Sequence, residues 1–137
     1  TGEVTVGNFG GEAIFDYRAL GDPVNTAARL EGANKHLGTL ICVSEATLAG
    51  CPDAPARPIG RLRLAGRSGY LMTYEPLAEG VDADYQRAFE LMRDESDQAL
   101  AAFEALGGAR PDDPLVKLHL LRLRAGKRGD GIELLEK

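Results

Sequence analysis

The 137-residue sequence has few of the residues that organise disulfide-rich or metal-stabilised domains. It contains no tryptophan, two histidines and two cysteines, Cys42 and Cys51, and it has no CxxC motif. This composition argues against a disulfide framework and against a cysteine-rich metal site. Cys42 lies inside an apolar run, so we expect its thiol to be a small buried group.

The sequence also lacks a basic cluster and a long apolar run. Its net charge is −5, which argues against nucleic acid as the main partner, although one or two local cations suffice for a nucleotide. No apolar stretch reaches the roughly 20 residues that span a bilayer, and there is no signal-peptide pattern. We expect a cytoplasmic location, with membrane anchoring of a longer parent protein left open. Because the chain begins without methionine on "TGEVTVGNFGG", we expect a fragment.

Residues 1–80 alternate between strand and helix signals. "EVTVGNFGG" and "AIFDYRAL" predict two strands joined by a glycine turn. Asp22-Pro23 predicts a helix start with Asp22 as the cap, and the helix should run to about Leu37 and end at Gly38. "TLICVS" predicts a buried strand, Ser44 the cap of a short helix, and "IGRLRLAG" and "YLMTYEPL" two strands joined by "GRSG".

Residues 81–137 have a different character, which predicts a second unit with its boundary near residues 78–82. The pattern is helical from residue 84 to residue 137, with breaks expected at Gly107-Gly108 and at "RPDDP". Ala99, Phe103 and Pro111 have the spacing of a tetratricopeptide-type repeat. Because about three repeats are needed for independent stability, this tail should pack on another surface or continue further. It is either a helical cap on the first unit or a partner-binding repeat.

One pair of polar residues in the first predicted helix suggests a ligand. Asn25 and Arg29 are one helical turn apart, so both side chains should project from the same face. A guanidinium suits phosphate because it donates paired hydrogen bonds and keeps its charge. The structural alternative is that Arg29 pairs with Asp16 or Glu31 and that Asn25 only caps the helix.

The motifs of residues 1–77 resemble, in order and spacing, the second half of class III adenylate/guanylate cyclase catalytic domains. They are "VGNFG", "DY..LGDPVN.AARLEG.NK", "ICVSEAT" and the closing strands "GRLRLAGRSGYLMTYEPL". The resemblance implies an α+β fold: part of a ferredoxin-like cyclase fold, with an antiparallel sheet and helices on one face, here followed by a C-terminal α-helical extension. It also implies a second cyclase domain as partner, in a head-to-tail homodimer, with ATP or GTP bound between the two.

The resemblance assigns roles to single residues. Asn25 matches the asparagine that orients the ribose, and Arg29 matches the arginine that stabilises the phosphate in the transition state. Arg67 matches the second lysine of a "KGK" segment that contacts the triphosphate, whereas Ala65 replaces the first; the alternative is that Arg67 is only a solvated arginine in a turn. Arg18 occupies the base-reading position. It has no acceptor for the adenine amino group, and it can donate to guanine, stack on the base or block the pocket.

The resemblance also implies Mg²⁺ or Mn²⁺ as cofactor, held by two aspartates that lie upstream of this chain in the family. No metal ligand is expected in the chain itself. We therefore expect it to supply the transition-state half of a cyclase and to be inactive alone. Two alternatives stay open: a non-catalytic cyclase-homology module, favoured by Arg18 and Ala65, and a helical-repeat module that binds a protein partner.

Overall fold

The chain folds as a mixture of strands and helices, in agreement with the predicted α+β class. The computed structural model describes residues 1–11 and 16–134. These residues form a two-stranded sheet, a four-stranded sheet and five helices. The elements are β1 (Thr5–Phe9), β2 (Asp16–Leu20), α1 (Asp22–Leu37), β3 (Val43–Ser44), α2 (Glu45–Ala49), β4 (Ala56–Leu64), β5 (Leu71–Pro76), α3 (Ala83–Arg93), α4 (Ala99–Ala109), α5 (Pro114–Arg124) and β6 (Gly131–Leu134).

Strands β1 and β2 form the predicted antiparallel hairpin. Thr5 pairs with Leu20 at one end and Phe9 with Asp16 at the other. The first part of the predicted returning strand, residues 13–15, lies outside the described residues. The hairpin keeps several apolar side chains open to solvent, namely Val6, Tyr17 and Leu20.

Helix α1 spans the predicted residues. Pro23 lies in its first turn, where a missing N–H is tolerated. Gly38 ends the helix with a φ of 75°, and its amide donates to the carbonyl of Asn34 at 2.8 Å. The predicted capping role of Asp22 is wrong, because Gly21 occupies the N-cap position and none of the described side chains caps the helix.

The four-stranded sheet has the order β3-β5-β4-β6. β4 and β5 are the predicted antiparallel pair. β6 runs parallel to β4, from Gly131 opposite Arg61 to Leu134 opposite Leu64. The prediction of helix throughout residues 84–137 is therefore wrong for residues 131–134.

The sequence before β6 explains why the helix does not continue. Gly126 and Gly129 have φ values of 80° and 72°, the left-handed region that glycine adopts most easily. Ile132 and Leu134 then alternate with Glu133, which is the two-residue period of a strand. Ile132 is buried in the core, so this edge strand contributes to the packing.

The predicted buried strand "TLICVS" is much shorter in the structure. Only Val43 and Ser44 pair with β5, opposite Tyr74 and Thr73. Leu40 is 93% exposed, so the apolar run does not mark a continuous buried strand. The next predicted feature is confirmed: the Ser44 hydroxyl caps α2 by accepting from the amide of Thr47 at 3.3 Å.

Helix α4 continues through Gly107-Gly108, so the break predicted there is wrong. A Cβ on Gly107 would lie 3.1 Å from a methyl carbon of Leu120, so the glycine lets α4 and α5 approach closely. The break at "RPDDP" is confirmed, since α4 ends at Ala109 and α5 begins at Pro114. No helix among the described residues is long and apolar enough to cross a membrane.

The sheet and the tail helices share one hydrophobic core. Its largest fully buried side chains include Ile59 and Leu62 from β4 and Tyr85, Phe89 and Phe103 from the tail. The tail thus packs on the sheet as a helical cap, which was the first of the two interpretations of its sequence. The domain boundary near residues 78–82 and the tetratricopeptide-like character of the tail stay predictions.

Two backbone carbonyl groups of β4 accept hydrogen bonds from side chains of the tail helices. The β4–β5 register shifts between Pro58 and Gly60. The hydroxyl of Tyr85 donates to the carbonyl of Pro58 at 2.6 Å, and Nε2 of His119 lies 2.9 Å from the carbonyl of Ile59. Burial is the main reason why the pKa of His119 falls to about 3, so the ring is neutral at physiological pH.

The two cysteines are free thiols, with Cys42 buried and Cys51 exposed. Burial raises the pKa of the Cys42 thiol to about 11, although a hydrogen bond with Thr73 lowers it in part. The thiol is therefore protonated and unreactive at neutral pH, as expected for a small buried group.

We predict that Phe103→Ala lowers the free energy of unfolding by about 3 kcal/mol, the usual cost of truncating a core aromatic residue. Phe103 is fully buried, and its ring centroid lies 6.1 Å from that of Tyr85 and 5.4 Å from that of His119. Urea unfolding followed by circular dichroism measures the change. Leu121→Ala on exposed α5 surface is the control and should change the stability little. Equal effects of the two variants would contradict the packing described for the tail.

Candidate functional site

The predicted site residues of α1 lie on one face of the helix. Asn25 and Arg29 are both exposed and one turn apart. Arg29 forms no ion pair with Asp16, Glu31 or any other described residue. The structure therefore does not contain the alternative ion pair of Arg29 with Asp16 or Glu31. The guanidinium donors of Arg29 make no hydrogen bond to another residue in the described part of the chain.

Arg29 lies against the turn that joins β4 and β5. A Cβ on Gly66 would be 3.3 Å from Nη2 of Arg29 and 3.7 Å from its Cζ. Gly66 also has a φ of 72°, which side chains other than glycine adopt with strain. A glycine at this position therefore allows both the turn and the close approach of the guanidinium.

Arg67, the next residue of the turn, reaches the first turns of α1. Its Nη1 donates to Oδ2 of Asp22 at 3.0 Å and to Oγ1 of Thr26 at 2.7 Å. Asp22, Asn25, Thr26 and Arg29 follow the three- and four-residue spacing of one helix face. The structure therefore places Arg67 against the helix face on which the spacing puts Asn25 and Arg29.

Arg18 is the predicted site residue that the structure does not join to this group. It lies on β2 opposite Gly7, and its side chain is exposed. No hydrogen bond or ion pair between described residues connects it to Arg29 or Arg67. Its base-reading role stays a prediction.

Beside Arg29 there is a cavity of about 370 Å³ between α1 and the ends of β4 and β6. Its volume is at the lower end of the range for small-molecule pockets. Ala65, which stands where the resemblance expects a lysine, is in its wall and adds no charge. The other lining residues are Ala28, Gly32, Ala33, His36, Leu64 and Leu134.

The local charge favours an anion. Arg67 pairs with one carboxylate, that of Asp22, whereas Arg29 pairs with none among the described residues. Arginine presents its donors in a planar fork that matches phosphate oxygens. Among the described residues no group of three or more His, Cys, Asp or Glu side chains lies together in a way that could hold a metal ion. The two arginines therefore offer donors that suit phosphate oxygens.

Two contacts of this site were missed in the sequence. Asp22 was expected to cap α1 and Thr26 had no assigned role, yet both bind Arg67. Their spacing from each other and from Asn25 places them on the same side of α1 as Asn25 and Arg29, and the sequence alone shows that spacing. The sequence could not show that the β4–β5 turn folds back onto these residues, 45 and 41 positions earlier in the chain.

The comparisons with known proteins support a relationship to adenylate cyclases. Adenylate cyclase 1 of Rhizobium meliloti (strain 1021) is 45% identical to the chain over 76 residues, which is 55% of this chain. The chain spans 11% of the length of that protein, so the match concerns one segment. No protein-family model matches the chain, and no solved structure matches it.

Proposed function

We propose that this chain is part of a class III nucleotidyl cyclase, which converts ATP, or alternatively GTP, to a 3′,5′-cyclic nucleotide and pyrophosphate in signalling. The observation that carries the proposal is the convergence of Arg67 and Arg29 at the first turns of α1. It is supported by the segment similar to adenylate cyclase 1. The two guanidinium groups can donate to the oxygens of a triphosphate, and Asn25 lies one turn before Arg29 on the same helix face.

In the reaction the ribose 3′-oxygen bonds to the α-phosphorus while the bond to pyrophosphate breaks. Negative charge grows on the phosphate oxygens as pyrophosphate leaves. Arg29 stabilises this charge, and Arg67 binds the triphosphate. Asn25 orients the ribose, which brings the attacking oxygen into line with the leaving group.

The divalent metal that such chemistry uses is Mg²⁺ or Mn²⁺. The described residues of this chain do not form a site for it. We expect its ligands on another part of the parent protein, and a second cyclase domain to complete the site. The steps above therefore assign to this chain only the binding of phosphate and ribose.

The base specificity depends on Arg18. Arginine donates hydrogen bonds and accepts none, so Arg18 fits the carbonyl oxygen of guanine better than the amino group of adenine. The named relative is an adenylate cyclase, which favours ATP. The test is to offer ATP and GTP together to the parent protein and to its Arg18→Thr variant. The cyclic nucleotide that each protein makes shows which substrate it prefers.

The runner-up is a non-catalytic cyclase-homology module that binds nucleotide without turnover. Ala65 in the cavity wall favours it, because it has no charge where the resemblance expects a lysine. Arg18 favours it because an arginine has no acceptor for the adenine amino group. A helical-repeat interaction module is a further alternative. It is less supported, since the tail buries its apolar side chains against the sheet.

We predict that the purified 137-residue chain makes no cyclic AMP or cyclic GMP with Mn²⁺, whereas the parent protein converts one of the triphosphates. The reason is that the 3′-hydroxyl needs metal carboxylates that the described residues do not supply. Chromatographic detection of product tests both halves, with a cooperative unfolding transition as proof that the chain is folded. Metal-dependent turnover by the chain alone would refute the claim of inactivity. A folded parent without turnover would favour the non-catalytic module.

A further inference from the structure

Both hydrogen bonds that tie Arg67 to α1 use the same nitrogen. Nη1 donates to the carboxylate of Asp22 and to the hydroxyl of Thr26. Nε and Nη2 make no hydrogen bond to another described residue. One edge of the guanidinium is therefore held by the helix, and the other edge keeps its donors for a ligand.

Holding one edge matters because Arg67 lies in a glycine-containing turn. Gly66 and Gly69 flank it, with φ values of 72° and 80°, and glycine backbones order at a high entropic cost. A long side chain on such a turn loses many conformations when it binds an anion. A hydrogen bond that already holds the side chain before the anion binds reduces this loss of conformational entropy. Preorganisation raises affinity in this way.

The two acceptors do not act alike. The carboxylate of Asp22 is 72% exposed, and an exposed ion pair contributes little. Asp22 also repels an arriving phosphate. Thr26 is half-buried and neutral, and it makes the shorter bond at 2.7 Å. Thr26 can therefore orient Arg67 without opposing the ligand.

We propose that Thr26 is a positioning residue that holds Arg67 towards a polyphosphate, with Asp22 as a secondary tie that weakens anion binding through its charge. The polyphosphate is the triphosphate of a nucleotide, and this identification rests on the proposed function. Arg67 is the group that touches the anion, and Thr26 acts through it.

Binding of inorganic tripolyphosphate to the 137-residue chain, measured by calorimetry, tests the inference. We expect Arg67→Ala and the isosteric Thr26→Val each to weaken binding by about fivefold or more, and the double variant to be little worse than Arg67→Ala, as for coupled neighbours. Thr26→Ser should bind as the unchanged chain does. Asp22→Asn should bind as tightly or more tightly. The matched control is Arg63→Ala, which removes an exposed arginine of the same hairpin, and it should change affinity little.

A second measurement does not depend on the ligand. The ¹⁵N resonances of the Arg67 guanidinium should show slow rotation of the Nη1 group, faster rotation in Thr26→Val, and slow rotation again in Thr26→Ser. The inference is overturned if Thr26→Val binds tripolyphosphate normally while Arg67→Ala does not, or if the folded chain does not bind tripolyphosphate. Failure of the parent protein to make cyclic nucleotide, with the coupling between Thr26 and Arg67 intact, would refute the proposed cyclase and leave the positioning role standing.

Discussion

Replacing Arg57 with alanine is expected to lower the free energy of unfolding by about 3–5 kcal/mol, the cost of leaving buried charges without their partner. Arg57 is a buried cation at the start of β4, 8% exposed. Its guanidinium donates to Glu75 at 2.9 Å and to both carboxylate oxygens of Asp113, at 2.7 and 2.9 Å. It also lies 4.8 Å from the ring centroid of Tyr85, which adds a cation–π contact.

The arrangement of these partners explains the size of the effect. Glu75 is on β5, and Asp113 caps α5 by accepting from the amides of Leu115 and Val116. Arg57 thus joins the sheet to the tail helices, and its removal leaves two partly buried carboxylates uncompensated. Asp82 lies 3.7 Å from Arg57 and keeps its own partner, Arg110.

Arg63→Ala is the matched control for Arg57→Ala. Arg63 is on the same strand and pairs with Glu133 at 3.3 Å, but both side chains are about half exposed. Truncation there should cost less than about 1 kcal/mol. Urea unfolding of both variants at neutral pH measures the difference. If Arg57→Ala and Arg63→Ala cost the same, the buried network does not stabilise the junction of sheet and tail.

Arg57→Ala should also change how the free energy of unfolding depends on pH. Burial is the largest single influence on Asp113 and raises its pKa. The hydrogen bonds and charge of Arg57, together with the backbone amides of Val116 and Leu115, outweigh burial and hold the pKa below its ordinary value. The pKa of Asp82 is lowered chiefly by Arg110. A depressed carboxyl pKa stabilises the fold above the unfolded pKa, and the contribution is lost as pH falls through the folded pKa. Arg57→Ala should therefore make the loss of stability below about pH 4 shallower. Neutral His119, with a folded pKa of about 3, adds a separate loss that begins near pH 6.5.

Local signals in the sequence predicted the elements that local chemistry determines. Pro23 and Gly38 mark the two ends of α1, and Ser44 caps α2. These features depend on backbone groups within a few residues, so no knowledge of the fold was needed. The hairpin of β4 and β5 belongs to the same class, because its two strands follow each other in the chain.

The errors have a common cause in distant pairing. β6 is a strand because β4, about 70 residues earlier, offers its free edge. "TLICVS" is mostly not a strand because β5 accepts only Val43 and Ser44. Gly107 does not break α4 because Leu120 of the next helix packs against it. In each case the tertiary contact overrides the local preference.

In the candidate site, too, local features could be predicted from the sequence and distant contacts could not. The helical spacing predicted that Asn25 and Arg29 share a face, and the structure agrees. Gly66 lies close to Arg29 and Arg67 bonds to Thr26 only because a turn that is distant in the sequence folds back onto α1. The chemical roles of these residues come from the resemblance and stay predictions, as does the role of Arg18.

Arg29→Ala in the parent protein should lower kcat by about a hundredfold or more while changing KM little, the size expected for losing one electrostatic stabiliser. Arg29 is exposed on α1 beside Gly66 of the β4–β5 turn, and it makes no ion pair with a described residue. An interaction that strengthens as pyrophosphate leaves acts on the transition state more than on the bound substrate. The loss should therefore appear in kcat.

The companion variants separate charge from geometry. Arg29→Lys should recover only part of the activity, because a point charge does not reproduce the planar fork. Asn25→Ala should also lower kcat, through lost orientation of the ribose. Lys35→Ala, which removes an exposed positive charge from the last turn of the same helix, is the control and should keep nearly full activity. Each variant must first be shown to fold and to assemble as the unchanged parent does, since α1 could also contribute to the interface of the proposed dimer. A folded, dimeric Arg29→Ala protein with normal kcat would mean that Arg29 takes no part in the chemistry, whatever its distance from Gly66.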